Sequence, residues 1–302
     1  MIQTNCIGNI YIELFYFVRD GMNMNTEQEQ LELKELRKQI FITGYRGGMA
    51  HLASSFSCLE MLYTFYIKKL LHFNPENAKW QDRDRFILSK GHAGLALYAI
   101  LRQVGVVSDE QFQSYMTEHS SIAGEPCMRD CEWIEATTGS LGHGLSMGLG
   151  MAMALKMNRS KAKVYVLLGD GELEEGTVWE AIMTAPYFGL DNLVAIVDNN
   201  RIQKMDFVEN TIGNPQWESK WRSFGWEVAT CNGHDIEDFQ NALCRGALIR
   251  KPYVVIANTV KGKGVSLMEN NPNWHFKLPN KRELKVFQEE LGIATDELCE
   301  KI

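Results

Sequence analysis

The sequence predicts an α/β protein, a parallel sheet with helices on both faces. Three observations carry this. Two apolar, β-like runs, Val-Tyr-Val-Leu-Leu at 164–168 and Leu-Val-Ala-Ile-Val at 193–197, flank a helical pattern at 177–188. Such a strand–helix–strand crossover joins parallel neighbours. Further short runs at 85–88, 226–229 and 253–257 alternate with helical segments, and their lack of polar alternation suits strands covered on both sides. Finally, Gly169-Asp170-Gly171 closes the first central run and Asp198-Asn199-Asn200-Arg201-Ile202 closes the second. The acid and the amide are 200 − 170 = 30 residues apart, one crossover, so both reach the carboxyl edge of the sheet, where open α/β sheets bind ligands.

The elements follow in order. Asn25-Thr26, with Glu29 three residues on, is a helix start, and Leu31, Leu33, Leu36 and Ile40 continue an apolar face. Ser57 is expected to cap a second helix running to Leu71. The strand at 85–88 ends at a loop holding His92, and helices are expected at 93–104 and 108–116. Residues 144–157 are rich in Gly, Ala and Met and read as a helix packed closely on its neighbours. A helix at 235–249 separates the last two strands, and 280–302 reads as a polar helical tail. No repeat or long linker interrupts 25–302, which is expected to form one domain. Residues 1–21, apolar-rich from Ile7 to Val18, read as an extension ahead of a start at Met22 or Met24, with a peripheral or partner-docking segment as the alternative, so 1–24 are set apart from the domain.

Composition narrows the class. The 302 residues suffice for a core without disulfides. A net charge of −7 argues against nonspecific nucleic-acid binding, and no apolar run is long enough to span a membrane. Seven scattered cysteines fit reduced thiols in a cytoplasmic protein. Cys127 and Cys131 lack a second ligand pair at zinc spacing.

Phosphate-binding designs can be separated by motif. No Gly-x-x-x-x-Gly-Lys-Ser/Thr string occurs, and Gly142-His143-Gly144-Leu145-Ser146-Met147-Gly148 neither follows a strand nor has dinucleotide spacing. What remains is a diphosphate held through a metal. A carboxylate, an amide and a backbone carbonyl suit a hard, oxygen-seeking cation such as Mg²⁺, and glycines flanking the acid let phosphate approach the main chain.

The Gly-Asp-Gly and Asn halves, each after its own strand, resemble the signature of thiamine-diphosphate enzymes. Thr138-Gly139-Ser140-Leu141-Gly142-His143-Gly144 resembles the transketolase segment that wraps the thiamine ring. Ala50-His51-Leu52-Ala53-Ser54 and Leu88-Ser89-Lys90-Gly91-His92-Ala93 are similar to two of its histidine loops. Val260-Lys261-Gly262-Lys263-Gly264 with Trp274-His275 is similar to its late phosphate loop. The matches run in order from about residue 30 to about 280 and resemble the N-terminal, diphosphate-binding half of a split transketolase.

That resemblance implies the cofactor-binding (PP-type) fold, thiamine diphosphate, and Mg²⁺ or Ca²⁺ held by Asp170, Asn200 and the Ile202 carbonyl. Gly169 and Gly171 would border the diphosphate, Lys261 and His275 would add donors to it, and Gly139 and Leu141 would contact the ring system. His51 and His92 would face substrate, with His92 also near the cofactor and His275 near both. His143 lies where the family has Gln or His; His72 and His234 have no counterpart and read as structural or solvent-facing. Glu175 matches a carboxylate between the two active sites of a dimer, although an exposed first-turn acid fits it equally well.

The implied chemistry is two-carbon ketol transfer from a ketose to an aldose, both sugar phosphates. The activating glutamate of the family belongs to a pyrimidine-binding domain, expected here on a C-terminal partner subunit in an α₂β₂ assembly. One departure stands out: Ala123-Gly124-Glu125-Pro126 replaces the usual Gly-His-Pro, so Glu125 stands for a donor-contacting histidine unless His119 reaches in. A carboxylate there points to a modified sugar. Other thiamine enzyme halves, deoxyxylulose-phosphate synthase-like or 2-oxoacid dehydrogenase α-like, fit Ser89–His92 and Thr138–Gly142 less well. A noncatalytic assembly protein is the remaining alternative.

Overall fold

A computed structural model describes residues 26–298, apart from 49, 205, 247 and 248. The extension at 1–24 and the end of the tail lie outside the described residues. Helix α1 is Thr26–Arg46, followed by α2, Leu52–Ser57, and α3, Leu59–Tyr66. Strand β1 is Arg85–Leu88; α4 is Gly94–Gln103, α5 Asp109–Gln113 and α6 Gly144–Met157. Then come β2, Val164–Gly169; α7, Gly176–Tyr187; β3, Leu193–Asn199; α8, Val208–Thr211; and α9, Trp217–Ser223. The chain continues with β4, Glu227–Asn232; α10, Ile236–Gly246; β5, Tyr253–Asn258; and α11, Glu283–Leu291.

The five strands pair in the order β1-β2-β3-β5-β4, all parallel. Gly169 lies opposite Asp198, so the ends of β2 and β3 are level. Alternate residues of the central strands feed two apolar clusters. Leu167, Val194, Ile196 and Val255 join Phe41, Phe65 and Tyr98 on one face. Val164, Val166, Leu168, Val197 and Val254 join Leu145, Ile182 and Trp221 on the other. This is the expected double-sided burial of β2, β3 and β5.

Several expectations need correction. Leu31 is 68% exposed; α1 buries Leu33, Leu36, Arg37, Ile40 and Phe41 instead. The helix after Ser57 is broken at Cys58 and stops at Tyr66. Ser57 is not its cap: the hydroxyl donates to Asp198 Oδ2 at 2.6 Å, because a buried carboxylate across the sheet competes for it. Helices α8 and α9, between β3 and β4, had no expected counterpart. Among the described residues the tail's α-helix spans Glu283–Leu291, ended by Gly292 at φ +70°, with a short 3-10 turn at Asp296–Leu298. By contrast, α6 does pack closely: a Cβ on Gly148 would stand 2.5 Å from Val166 Cγ2 of β2. Among the described residues, no helix is long and apolar enough to cross a membrane.

Candidate functional site

The site grows out of the level ends of β2 and β3. Beyond β2, Asp170 is buried and accepts from Gly171 N at 2.8 Å and from Arg201 N. Beyond β3, Arg201 adopts φ +64°, a left-handed turn that is strained for a side-chain-bearing residue. That turn delivers its N–H to Asp170 and lets Asn200 Oδ1 receive Ile202 N at 3.1 Å. The Ile202 carbonyl accepts from Lys261 Nζ at 2.8 Å, and Lys261 Nζ lies 3.0 Å from His275 Nδ1. Asp170, Asn200, Ile202, Lys261 and His275 are thus brought together from three separate loops.

Charge here is held against burial. Desolvation and the Asp198 carboxylate push Asp170 up to about 7, and desolvation with the Lys90 charge pulls Lys261 down to about 8. Beneath them lies a buried ion pair between Lys90 and Asp198. Asp198 also accepts from Ser57 and Thr259, and Lys90 donates to Ser54 O at 3.1 Å. Burial alone would discharge both partners; their attraction wins, holding Lys90 above and Asp198 below its ordinary value.

The two glycines beside Asp170 differ. A Cβ on Gly171 would stand 2.7 Å from Gln203 Cβ, so packing forbids one. At Gly169 the nearest protein atoms would be about 3.9–4.0 Å away, an ordinary contact, so protein packing does not require glycine there.

His51, His92 and His275 form a triangle with ring centroids 5.2–5.5 Å apart. Burial, then the Lys261 charge, lowers His51 to about 4 and His275 to about 3; burial and Lys90 take His92 well below its ordinary value. All three rings are therefore neutral near neutral pH. Phe276 lies on the outer side of His51, centroids 4.6 Å apart.

The ring-wrapping candidate packs on the His92 loop: a Cβ on Gly91 would stand 2.7 Å from Gly139 N. Gly139 (φ +133°) and Gly142 (φ +83°) need conformations that side chains disfavour. Buried Glu172 ties this segment to β2, accepting from Gly142 N at 2.9 Å, from Gly169 N at 3.0 Å and from Ser89 Oγ. Leu141 is half-buried at the turn; His143 is exposed, its Nδ1 3.1 Å from the Leu141 carbonyl. Glu175 is exposed beside Gly142, with no side-chain cap bond at the start of α7. Glu125 covers Gly139, where its carboxylate occupies the space of a Cβ, and burial raises its pKa. His119 is exposed.

Sequence reasoning missed Lys90–Asp198 and Glu172. Glu172 directly follows Gly169-Asp170-Gly171, but a helix-start acid there looks the same from sequence. Partners 108 positions apart leave no local signal.

The donor set can be tested against the implied groups. Among the described residues, no cluster of three or more His, Cys, Asp or Glu could hold a metal. One carboxylate, one amide and one carbonyl form a partial oxygen shell of a different kind, which phosphate oxygens and water would complete. Thr138 Oγ1 is buried beside Gly91 without a hydrogen-bond partner, a polar atom awaiting one. The residues present fit a diphosphate carrying a divalent cation.

Comparison with known proteins agrees with this geometry. Residues 44–300 match the family model "Transketolase, thiamine diphosphate binding domain". The chain is 36% identical over 272 residues to a protein of Actinobacillus succinogenes named as one subunit of an apulose-4-phosphate transketolase, covering 89% of this chain and 98% of that one. It is 37% identical over 223 residues to one named as a 6-deoxy-6-sulfo-D-fructose transketolase subunit, from a Clostridium species, covering 74% and 81%. The crystal structure of transketolase from Campylobacter jejuni superposes with a TM-score of 0.81 at 30% identity, over 90% of this chain but 43% of that longer one. The chain belongs to the transketolase family, in the part that carries the thiamine diphosphate binding domain.

Proposed function

We propose that this chain is the diphosphate-binding half of a two-subunit transketolase that moves a two-carbon ketol unit from a ketose to an aldose. One observation carries the reading: Asp170, Asn200 and the Ile202 carbonyl converge with Lys261 at one edge of the sheet. Asp170, Asn200 and Ile202 O would hold Mg²⁺ or Ca²⁺, the metal would hold the diphosphate, and Lys261 and His275 would add donors. Gly169 leaves room for phosphate at the main chain, while Gly139, Leu141 and Thr138 would face the ring system. When bound, thiamine diphosphate supplies a nucleophilic ring carbon and an electron sink, which cleavage beside a ketose carbonyl requires.

The chain's own residues handle protons and orientation. His51, His92 and His275, neutral by burial, can each accept a proton from a sugar hydroxyl and return it. Burial first, and then the charges of Lys90 and Lys261, keep the rings unprotonated, so each has a free lone pair at neutral pH, at the cost of being a weaker base than an exposed imidazole. Glu125 adds an acceptor where a donor hydroxyl would lie. The relatives named for apulose-4-phosphate and for a sulfo-sugar support a modified ketose as donor.

Two relatives of nearly this chain's length are named as one of several subunits of their transketolases, which supports a separate pyrimidine-binding partner and an α₂β₂ assembly. Residues 25–302 then act as one domain, with Glu175 near the partner. The free thiols of Cys58, Cys127, Cys131, Cys231 and Cys244 suit a cytoplasmic enzyme. The test is to purify the chain alone and with its partner and to assay ketol transfer. Activity is expected only in the assembly; full activity of the isolated chain would contradict the shared site.

A further inference from the structure

We infer that Glu60 and His234, remote in sequence from every cofactor contact, are positioning residues for Lys261. This rests on the cofactor reading above. The loop carrying Lys261, residues 260–264, bends through Gly262 (φ +80°) and Gly264 (φ +94°) and has no regular secondary structure to fix it. Three contacts from other elements anchor it, beside its own bonds from Asn270 N to Lys261 O at 3.0 Å and from Gly264 N to Glu269 Oε1 at 2.9 Å. Val260 N donates to His234 Nε2 at 2.8 Å, Gly262 N donates to Ala53 O at 3.0 Å, and Arg37 Nε donates to Lys263 O at 2.9 Å. Lys261 sits between the first two points, with its ammonium on the Ile202 carbonyl.

Two of the three clamps meet at one side chain. Buried Glu60 of α3 pairs with Arg37 through Oε1 and with His234 Nδ1 through Oε2, 3.1 Å away. Burial alone would neutralise Glu60, but Arg37 and His234 outweigh it and keep the carboxyl ionised. The chemistry sets the tautomer. Because Val260 N–H donates to Nε2, that nitrogen carries no proton, so Nδ1 carries one and donates to Glu60. Glu60 therefore determines that His234 can accept from the loop.

The same α2–α3 segment also carries His51 at its start and Ala53 O, which receives Gly262 N. One rigid piece thus sets a substrate-facing histidine and the Lys261 loop in a common frame.

The test uses the full chain assembled with its partner, and the probe is thiamine diphosphate with Mg²⁺, titrated by calorimetry. His234→Leu fills the space without accepting a hydrogen bond, and His234→Gln keeps one acceptor and one donor. His234→Leu is expected to weaken binding by about tenfold or more, as removal of an outer-shell partner does. His234→Gln should restore most of that loss, and kcat at saturating cofactor should stay near the parent value in both. Lys261→Met serves as the control for the underlying reading. If Lys261→Met loses affinity while His234→Leu does not, the clamp is wrong and the cofactor reading stands. If Lys261→Met binds as the parent does, both fall. Equal losses in the Leu and Gln variants would assign His234 a packing role and overturn the proposal. Hydrogen exchange on the unmutated protein gives a readout independent of folding. Slow exchange at the Val260 and Gly262 amides is expected, and exchange at free-peptide rates would overturn the clamp.

Discussion

Ionising Asp170 in the unliganded chain costs fold stability, and that tension is what a bound cation would relieve. Its folded pKa, about 7, is raised by burial and by Asp198. A raised value contributes stability below the unfolded pKa that is lost as pH rises through about 7. At pH 8 the unliganded chain therefore carries a destabilising charge. Asp170→Asn is expected to raise the thermal midpoint of the cofactor-free chain at pH 8, by about 2–4 °C for each kcal/mol recovered. The same variant should lose Mg²⁺-dependent cofactor affinity by about 100-fold or more in calorimetry, since it removes the one charged ligand. A lower midpoint, or unchanged binding, would refute the assignment. Glu125 is the second residue-level test. Glu125→His is expected to shift donor preference toward ordinary ketose phosphates, measured as a ratio of kcat/KM values; an unchanged ratio removes Glu125 from substrate choice. Both residues were legible in the sequence because they sit in short strings. The Lys90–Asp198 pair was not, since neither partner's surroundings are local.

At the scale of elements, α6 shows how a helix with little polarity difference between its faces is still placed. Gly148 lets it approach β2, and a Cβ there would collide with Val166. Gly148→Ala is expected to destabilise the chain by about 1–3 kcal/mol, the range for overpacking, read from the urea midpoint. A neutral result would mean that α6 can shift outward. Apolar patterning located α7 and α10, each of which buries a defined set of positions, whereas α6 was marked by its Gly, Ala and Met content. Patterning failed at the break at Cys58, where Ser57 bonds across to Asp198, and at Leu31, where the apolar spacing continued but the neighbouring surface did not. Helices α8 and α9 are short and held by tertiary contacts such as buried Trp217 and Trp221, which leave only a faint pattern in the sequence.

The histidine triangle has a consequence for the whole molecule. His92 has a folded pKa well below its ordinary value. As pH falls through about 6.5, the unfolded chain takes up a proton at this ring that the folded chain refuses. Its contribution is present above the unfolded pKa and shrinks as pH falls, by at most about 1.4 kcal/mol per pH unit. His51 and His275 add smaller shares because they are more open to solvent. His92→Asn is therefore expected to gain stability relative to the parent as pH drops from about 6.5 to 4, measured by urea unfolding across that range. Parallel profiles would show that the ring is not held neutral. The sheet, its crossover and the residue types that stand at its carboxyl edge were readable from sequence. Strand burial, turn chemistry and motif spacing are written over short distances along the chain. Only the tertiary structure decided which charges oppose one another, how His234 reaches the Lys261 loop, and where Glu125 lies. Those depend on contacts between residues tens to hundreds of positions apart, where burial and Coulomb forces act through space and leave no periodic trace.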